Sequence, residues 1–168
     1  MPSRNATCFH VDTNYLIDCF RWKHGDTDER AKIASGVINE AIHHGKVRAS
    51  VTVIGEFVDV VVRKRYSLDL LNDLADYIER GKLEVCYVEP QRAARYTDLS
   101  LKIRKEVRSE GVGSTDVFIL AHMMTDMSGE GLLTFDDAIL TSRGVQKVLK
   151  EHIQNRKRPR ITDDPRRS

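Results

Sequence analysis

The sequence lacks the features that mark membrane, secreted and zinc-stabilised proteins. Its 168 residues include only three cysteines, an odd number at wide spacing, which argues against a disulfide framework and a zinc site. The longest apolar run, residues 117–121, is far too short to cross a membrane. The first residues lack the basic and then apolar pattern of a secretion leader. We therefore expect a cytoplasmic protein with reduced cysteines and no membrane association.

Several chemical signatures are also missing. There is no Gly-x-Gly-x-x-Gly or Gly-Lys-Ser/Thr loop for phosphates, which disfavours nucleotide-dependent chemistry. There is no His-Glu-x-x-His pair, which argues against a zinc hydrolase. The composition, with 40% hydrophobic and 31% charged residues, is typical of one soluble globular domain.

The formal net charge of +2 conceals an uneven distribution. Residues 1–142 contain 18 Lys or Arg and 22 Asp or Glu, whereas residues 143–168 contain nine and three. Such a basic arm is either a contact for nucleic acid or a solubility tail, and the sequence leaves both open. Its charges and two prolines predict poor order. We therefore expect one domain over residues 1–154 and a basic, poorly ordered tail over 155–168.

Strand and helix patterns alternate along the chain. Short apolar segments predict strands at residues 6–11, 46–49, 83–88 and 132–134, and apolar residues at helical spacing predict helices between and after them. The segment that follows Ser50 is expected to be a helix, although its β-branched residues leave a strand as the alternative. This order predicts the α/β class: a three-layer α/β/α sandwich around a central, mainly parallel sheet of four or five strands.

Three acidic residues have comparable positions in this arrangement. Asp12 follows the first strand, and Asp136 follows the fourth. Asp116 lies in the first turn of the helix before the fourth strand, where Ser114 or Thr115 is the expected N-cap. Ligands of parallel α/β sheets bind outside the carboxyl ends of the strands, so we expect the three carboxylates to meet there. Ordinary helix capping is the alternative explanation for Asp12 and Asp136.

Glu56 is a fourth candidate because its predicted helix places it within an apolar stripe. An ionised carboxylate there needs a metal, or a basic partner such as Lys46 or Arg48 from the preceding strand. Asp59, by contrast, is expected to pair with Arg63 one turn later. Four carboxylates without matching histidines or cysteines are hard oxygen donors, which favour Mg²⁺ or Mn²⁺.

Four motifs resemble those of the PIN domain family and occur in the same order. They are Phe9-His10-Val11-Asp12-Thr13-Asn14, Glu56 within Ser50-Val51-Thr52-Val53-Ile54-Gly55-Glu56-Phe57, Thr115-Asp116, and Leu132-Leu133-Thr134-Phe135-Asp136. The resemblance covers about residues 6–142. It implies a small α/β/α sandwich that acts as a metal-dependent endoribonuclease on single-stranded or loop RNA. It also implies a VapC-type toxin with an antitoxin partner, and a homodimer, as frequent forms of the family.

The resemblance assigns roles to individual residues. The metal ligands and catalytic groups are then Asp12, Glu56, Asp116 and Asp136, supported by Thr13, Asn14, Thr115 and Thr134. Many relatives carry another acid two residues beyond the last of these, where this chain has Ala138 and only Asp137 as a substitute. The choice between one and two metal ions therefore stays open. The basic residues expected to contact phosphates are Arg104, Lys105, Arg108, Arg156, Lys157, Arg158 and Arg160.

Three other functions are compatible with the same residues. One is a non-catalytic RNA-binding or assembly module on the same fold, with the basic tail as its working part. Another is a nuclease that processes structured RNA rather than a toxin. The third is an unrelated acidic α/β protein such as a phosphatase, which would hydrolyse small phosphoesters and leave RNA intact.

Overall fold

One parallel sheet forms the centre of the molecule. The computed structural model describes residues 7–126, 130–152 and 159–167. Within them the strands are β1 (Thr7–Val11), β2 (Gly45–Ser50), β3 (Leu83–Cys86), β4 (Gly131–Leu133) and β5 (Arg160–Thr162). Their spatial order is β3-β2-β1-β4-β5, and all neighbouring strands are parallel. The predicted α/β class with a parallel sheet is confirmed, and β1 lies at its centre.

Helices flank this sheet in two groups. The helices of the described residues are α1 (Thr13–Lys23), α2 (Glu29–His44), α3 (Val51–Arg63), α4 (Asp69–Glu79), α5 (Ala93–Glu106), α6 (Ser114–Thr125), α7 (Asp137–Thr141) and α8 (Arg143–His152). Helix α1 packs against α2, α3 and α4, whereas α5 packs against α6 and α8. None of the helices in the described ranges is long and apolar enough to span a bilayer.

The segment after β2 is a helix, as expected. Ser50 caps it, because the Ser50 hydroxyl accepts the backbone N–H of Val53 at 3.3 Å. Packing then overrides the strand preference of its β-branched residues, since Phe57 is fully buried and meets the ring of Phe20 edge-on at 5.8 Å. Asp59 and Arg63 form the expected ion pair on the exposed side.

The C-terminal segment differs from the sequence-based prediction. The sequence predicts poor order throughout 155–168, whereas the structure has β5 within that segment, paired with β4. Beyond β5, the hydroxyl of Tyr15 donates to the carbonyl of Asp163 at 2.7 Å. A three-residue strand among charged residues is too short to show a recognisable apolar periodicity. Only its backbone pairing with β4 defines it as a strand. The basic residues Arg156, Lys157 and Arg158 lie outside the described residues.

Candidate active site

Asp12 is the buried centre of the candidate site. Only 2% of its surface is exposed, and both carboxylate oxygens accept hydrogen bonds. Oδ1 accepts the backbone N–H of Thr13 at 2.7 Å, and Oδ2 accepts the hydroxyl of Thr134 at 2.7 Å. The Thr134 oxygen in turn accepts the backbone N–H of Asp136 at 3.0 Å. Thr134 therefore joins the carboxyl ends of β1 and β4 and orients the acids that follow both strands.

Asp136 both caps a helix and lies beside the other acids. Its Oδ1 accepts the backbone N–H groups of Ala138 at 2.7 Å and Ile139 at 3.3 Å, which begins α7. The capping role that was the alternative explanation for Asp12 and Asp136 is therefore real. Capping does not separate them from the site, because the charge of Asp116 raises the pKa of Asp12 and the charge of Asp136 raises the pKa of Asp116.

Asp116 is held by a residue that the sequence analysis missed. The N-cap of α6 is Gly113, so the expectation that Ser114 or Thr115 caps this helix is wrong. The Gly113 backbone is extended, and its N–H donates to Asp116 Oδ2 at 2.8 Å. An acid at the third position of a helix commonly binds the N-cap backbone in this way, so the spacing of Gly113 and Asp116 was the available signal.

Glu56 meets a hydroxyl rather than a cation. The Thr13 hydroxyl donates to Glu56 Oε2 at 2.5 Å, which links α3 to the start of α1. Lys46 and Arg48, the basic partners considered for Glu56, both bind Glu84 instead, at 3.4 and 3.2 Å. Glu56 is half-buried, so it faces the site with a carboxylate that no described cation neutralises.

Burial, with a smaller contribution from neighbouring acids, raises the pKa of two carboxyl groups of the cluster. Burial is the main cause that raises the pKa of Asp12 from 3.8 to about 7, and the charges of Asp116 and Glu56 raise it further. Burial also raises the pKa of Asp116, with contributions from Asp136 and Glu56. The carboxyl groups of Asp12 and Asp116 thus feel the charge of neighbouring acids, and a bound cation relieves such repulsion.

The remaining predicted residues vary in their distance from this cluster. Thr13 and Thr134 are buried and bind its acids, as described above. Thr115 is half-buried in the first turn of α6, whereas Asn14 is exposed in the first turn of α1. Asp137 begins α7 with an exposed side chain, and no hydrogen bond or ion pair among the described residues joins that side chain to the four acids.

The donor set fits a hard divalent cation in its chemistry but not in its present arrangement. Among the described residues, no group of three or more His, Cys, Asp or Glu side chains is arranged to hold a metal ion. Glu56, Asp116 and Asp136 each accept hydrogen bonds through one carboxylate oxygen, which leaves the other as a potential ligand. These oxygens are the atoms that could bind a cation.

The basic candidates lie in two separate places. Arg104, Lys105 and Arg108 are exposed at the end of α5 and just beyond it. Arg160 begins β5, where its guanidinium lies 5.8 Å from the centre of the Phe9 ring.

Comparison with known proteins identifies the family. The family model for the PIN domain matches residues 10–141, most of the chain. The chain belongs to the PIN domain family. The resemblance carried by the four motifs is thereby confirmed for this PIN domain, and members of the family are generally nucleases. No curated protein matches the chain.

A solved structure shares the fold of this PIN domain. It is the crystal structure of VapBC2 from Rickettsia felis bound to a DNA fragment from their promoter. The sequence identity is 16% and the TM-score is 0.59, with 82% of this chain and 95% of the other chain covered. At this identity the similarity shows the fold alone.

Proposed function

We propose that this PIN domain is a divalent-metal-dependent endoribonuclease that hydrolyses phosphodiester bonds of single-stranded or loop RNA. The observation that carries the proposal is the group of carboxylates at the carboxyl ends of β1 and β4, where Asp12 is buried and the charges of Asp116 and Glu56 help to raise its pKa. Nuclease chemistry uses such carboxylates to hold Mg²⁺ or Mn²⁺.

In this proposal the chain's own residues position the reaction. Asp12, Asp116 and Asp136 would hold one or two ions through their carboxylates, and Glu56 would hold an ion or accept a proton from the attacking water. When bound, the ion supplies a water of lowered pKa and offsets the charge of the phosphate. Thr13 fixes Glu56, and Thr134 fixes Asp12, so the two hydroxyls keep the acids in place without binding the substrate themselves.

The biological setting that we propose is a toxin of a toxin-antitoxin pair, which acts in the cytoplasm, forms a homodimer and binds a small antitoxin protein. The fold shared with a chain of the VapBC2 complex supports this setting. Cys8, Cys19 and Cys86 are free thiols in the structure, which agrees with a reducing compartment.

A second candidate function is a non-catalytic RNA-binding or RNA-processing module on the PIN fold. It is favoured by one observation: the described residues contain no group already arranged to hold a metal. The two functions differ in a simple way, because the module binds RNA with or without a divalent ion and never cuts it.

The deciding experiment measures cleavage of labelled single-stranded and hairpin RNAs with Mg²⁺, Mn²⁺ or EDTA. Asp116→Asn removes one acid of the cluster, and Asp59→Asn is the matched control, since it makes the same chemical change at an exposed position of α3. We expect cleavage by the wild type and by Asp59→Asn with a divalent ion, and loss of at least about 100-fold in Asp116→Asn, the order of effect of removing one group that stabilises the transition state. Binding without cleavage under all conditions would support the non-catalytic module instead.

The toxin setting has its own test. Induced expression of the wild type in a bacterial host should arrest growth, whereas Asp116→Asn at the same protein level should not. A wild-type protein that cleaves RNA in vitro but leaves growth unaffected would contradict the toxin setting and leave the nuclease proposal in place.

A further inference from the structure

A cationic cleft lies at the C-terminal end of α5. It has a volume of about 420 Å³ and is lined by Arg104, Lys105 and Arg108, which we call the basic cleft. All three side chains are exposed. None of them forms an ion pair with a residue in the described ranges. Three neighbouring cations without counter-charges form a local positive potential that attracts anions.

Other cations of the same region do have partners. Arg92, just before α5, binds Glu89 at 3.3 Å, and Lys102 of α5 binds Glu151 at 2.7 Å. Cations in the last turn of a helix are favoured by the helix dipole, which is the ordinary explanation for the basic cleft. That explanation accounts for the presence of cations but not for the missing counter-charges, because acids do occur nearby.

Those nearby acids are engaged by α8. Both carboxylate oxygens of Glu106 accept hydrogen bonds from Lys147 at 2.9 Å. Glu110 accepts the backbone N–H of Gly144 at 3.1 Å and the hydroxyl of Ser142. These contacts tie both carboxylates to the start and middle of α8. These two carboxylates therefore do not pair with the cations of the basic cleft, and their contacts fix the loop between α5 and α6.

The same loop leads directly to the acidic cluster. Arg104 Nη1 lies 3.5 Å from the carbonyl oxygen of Val112, to which it donates. The next residue, Gly113, donates its N–H to Asp116. One arginine of the basic cleft and one acid of the candidate site are therefore held by adjacent residues of the chain.

A second groove shows why the basic cleft is the better phosphate site. This groove, about 340 Å³ in volume, lies beside β3 and also contains two arginines. Its Arg48 binds Asp126 and Glu84, and its Arg92 binds Glu89. Because carboxylates already occupy these guanidinium groups, a phosphate would have to displace them. At the basic cleft, no carboxylate of the part of the chain that the structure describes occupies the cations in this way.

We propose that Arg104, Lys105 and Arg108 bind the backbone phosphates of single-stranded RNA next to the bond that is cut. The proposal rests on the proposed nuclease function for the position of that bond, but RNA binding by the basic cleft is measurable without cleavage. Lys and Arg side chains recognise phosphates without regard to base sequence, so the basic cleft positions the strand rather than choosing the cleavage sequence.

The test measures binding of a labelled, mixed-sequence single-stranded RNA to the full chain in EDTA, over a range of salt concentrations. The variant Arg104→Gln/Lys105→Gln/Arg108→Gln removes the basic cleft. The control Lys32→Gln/Arg63→Gln/Arg80→Gln removes the same net charge from exposed cations that have acidic partners outside α5. Loss of three phosphate contacts should reduce the salt slope by about two and weaken binding by roughly 10- to 100-fold at low salt. The control should change binding by less than about threefold.

Two further measurements keep the result interpretable. Arg104→Lys/Arg108→Lys retains the charges and should bind RNA within a few-fold of the wild type, and thermal unfolding verifies that every variant folds. In cleavage assays with Mg²⁺, the Gln variant should raise KM with little change in kcat.

The outcomes separate the two proposals. Equal RNA binding by the wild type and the Gln variant, or an equal loss in the Gln variant and the control, would overturn the basic cleft as a phosphate site. Loss of binding in the Gln variant, with no cleavage by the wild type under any condition, would retain the basic cleft and reject the nuclease function.

Discussion

Replacing Asp12 by Asn should stabilise the metal-free protein at alkaline pH. Burial and neighbouring acids raise the pKa of Asp12 from 3.8 to about 7 in the folded state. A carboxyl group with a raised folded pKa binds its proton more tightly when folded, so stability rises as pH falls from about 7 towards 4. Above pH 7 the ionised group opposes folding by about 4 kcal/mol, from roughly three pH units at 1.36 kcal/mol each.

Asparagine keeps the shape of the carboxyl group but not its charge. Its amide oxygen still accepts the Thr13 N–H, and its NH₂ group donates to the Thr134 hydroxyl oxygen. Allowing for imperfect hydrogen bonds, we expect a gain of about 3 kcal/mol at about pH 8.5, which raises Tm by roughly 6 to 12 °C for a chain of this length. At about pH 4 the gain should vanish, because the wild-type group is then protonated.

The measurement is thermal unfolding followed by circular dichroism at both pH values in EDTA, with Asp59→Asn as the control. Comparison between variants removes the contribution of other groups, such as His122, whose pKa is lowered to about 4 by burial. Added Mg²⁺ should raise Tm of the wild type more than that of Asp12→Asn, since a bound ion offsets the same repulsion. An Asp12→Asn variant that is no more stable than the wild type at about pH 8.5, or equally stabilised at both pH values, would refute the reasoning.

Three further predictions concern the framework around the site. Thr134→Val should destabilise the protein by about 1–3 kcal/mol and reduce cleavage, because Asp12 loses a buried donor; unchanged denaturant unfolding would contradict it. Gly144→Ala should lower the free energy of unfolding by about 1–3 kcal/mol, since its Cβ would lie 2.6 Å from a backbone oxygen of α5. Gly55→Ala, in open space on α3, should instead raise it by about 0.5–1 kcal/mol, and equal Tm shifts of the two variants would contradict this difference. Tyr15→Phe should lose about 1 kcal/mol in urea unfolding, because it removes the hydrogen bond to the segment after β5; no loss would show that this bond is dispensable.

The sequence predicted those parts of the molecule that repeat a pattern. Four of the five strands and the order of the helices were predicted from apolar periodicity. The acids at the strand ends were predicted as site residues because ligands bind outside the carboxyl ends of parallel strands. Thr13 and Thr134 were expected as supports only through the family resemblance. Their hydrogen bonds to Glu56 and Asp12 join residues far apart in the chain, which no local pattern encodes.

Other features were not predictable from local sequence. β5 is defined by pairing with β4, and its three residues carry no periodic signal. The hydrogen bond that Glu110 accepts from the backbone N–H of Gly144 depends on the packing of α8 against α5, which is a tertiary contact. Ser and Thr are favoured N-cap residues, but the N-cap of α6 is Gly113 rather than Ser114 or Thr115. The backbone N–H of Gly113 donates to the carboxylate of Asp116.

The backbone hydrogen bond of Thr134 links the candidate site to a part of the chain that is synthesised late. Its N–H donates to the carbonyl of Thr162 at 3.1 Å, and its hydroxyl holds Asp12. A ribosome synthesises Asp12 early, Asp136 much later, and the supporting carbonyl later still. A nascent chain that stops before β5 therefore carries all four acids but lacks the backbone partner that fixes the residue between them. The backbone partner that supports Thr134 is consequently synthesised after all four acids of the candidate site.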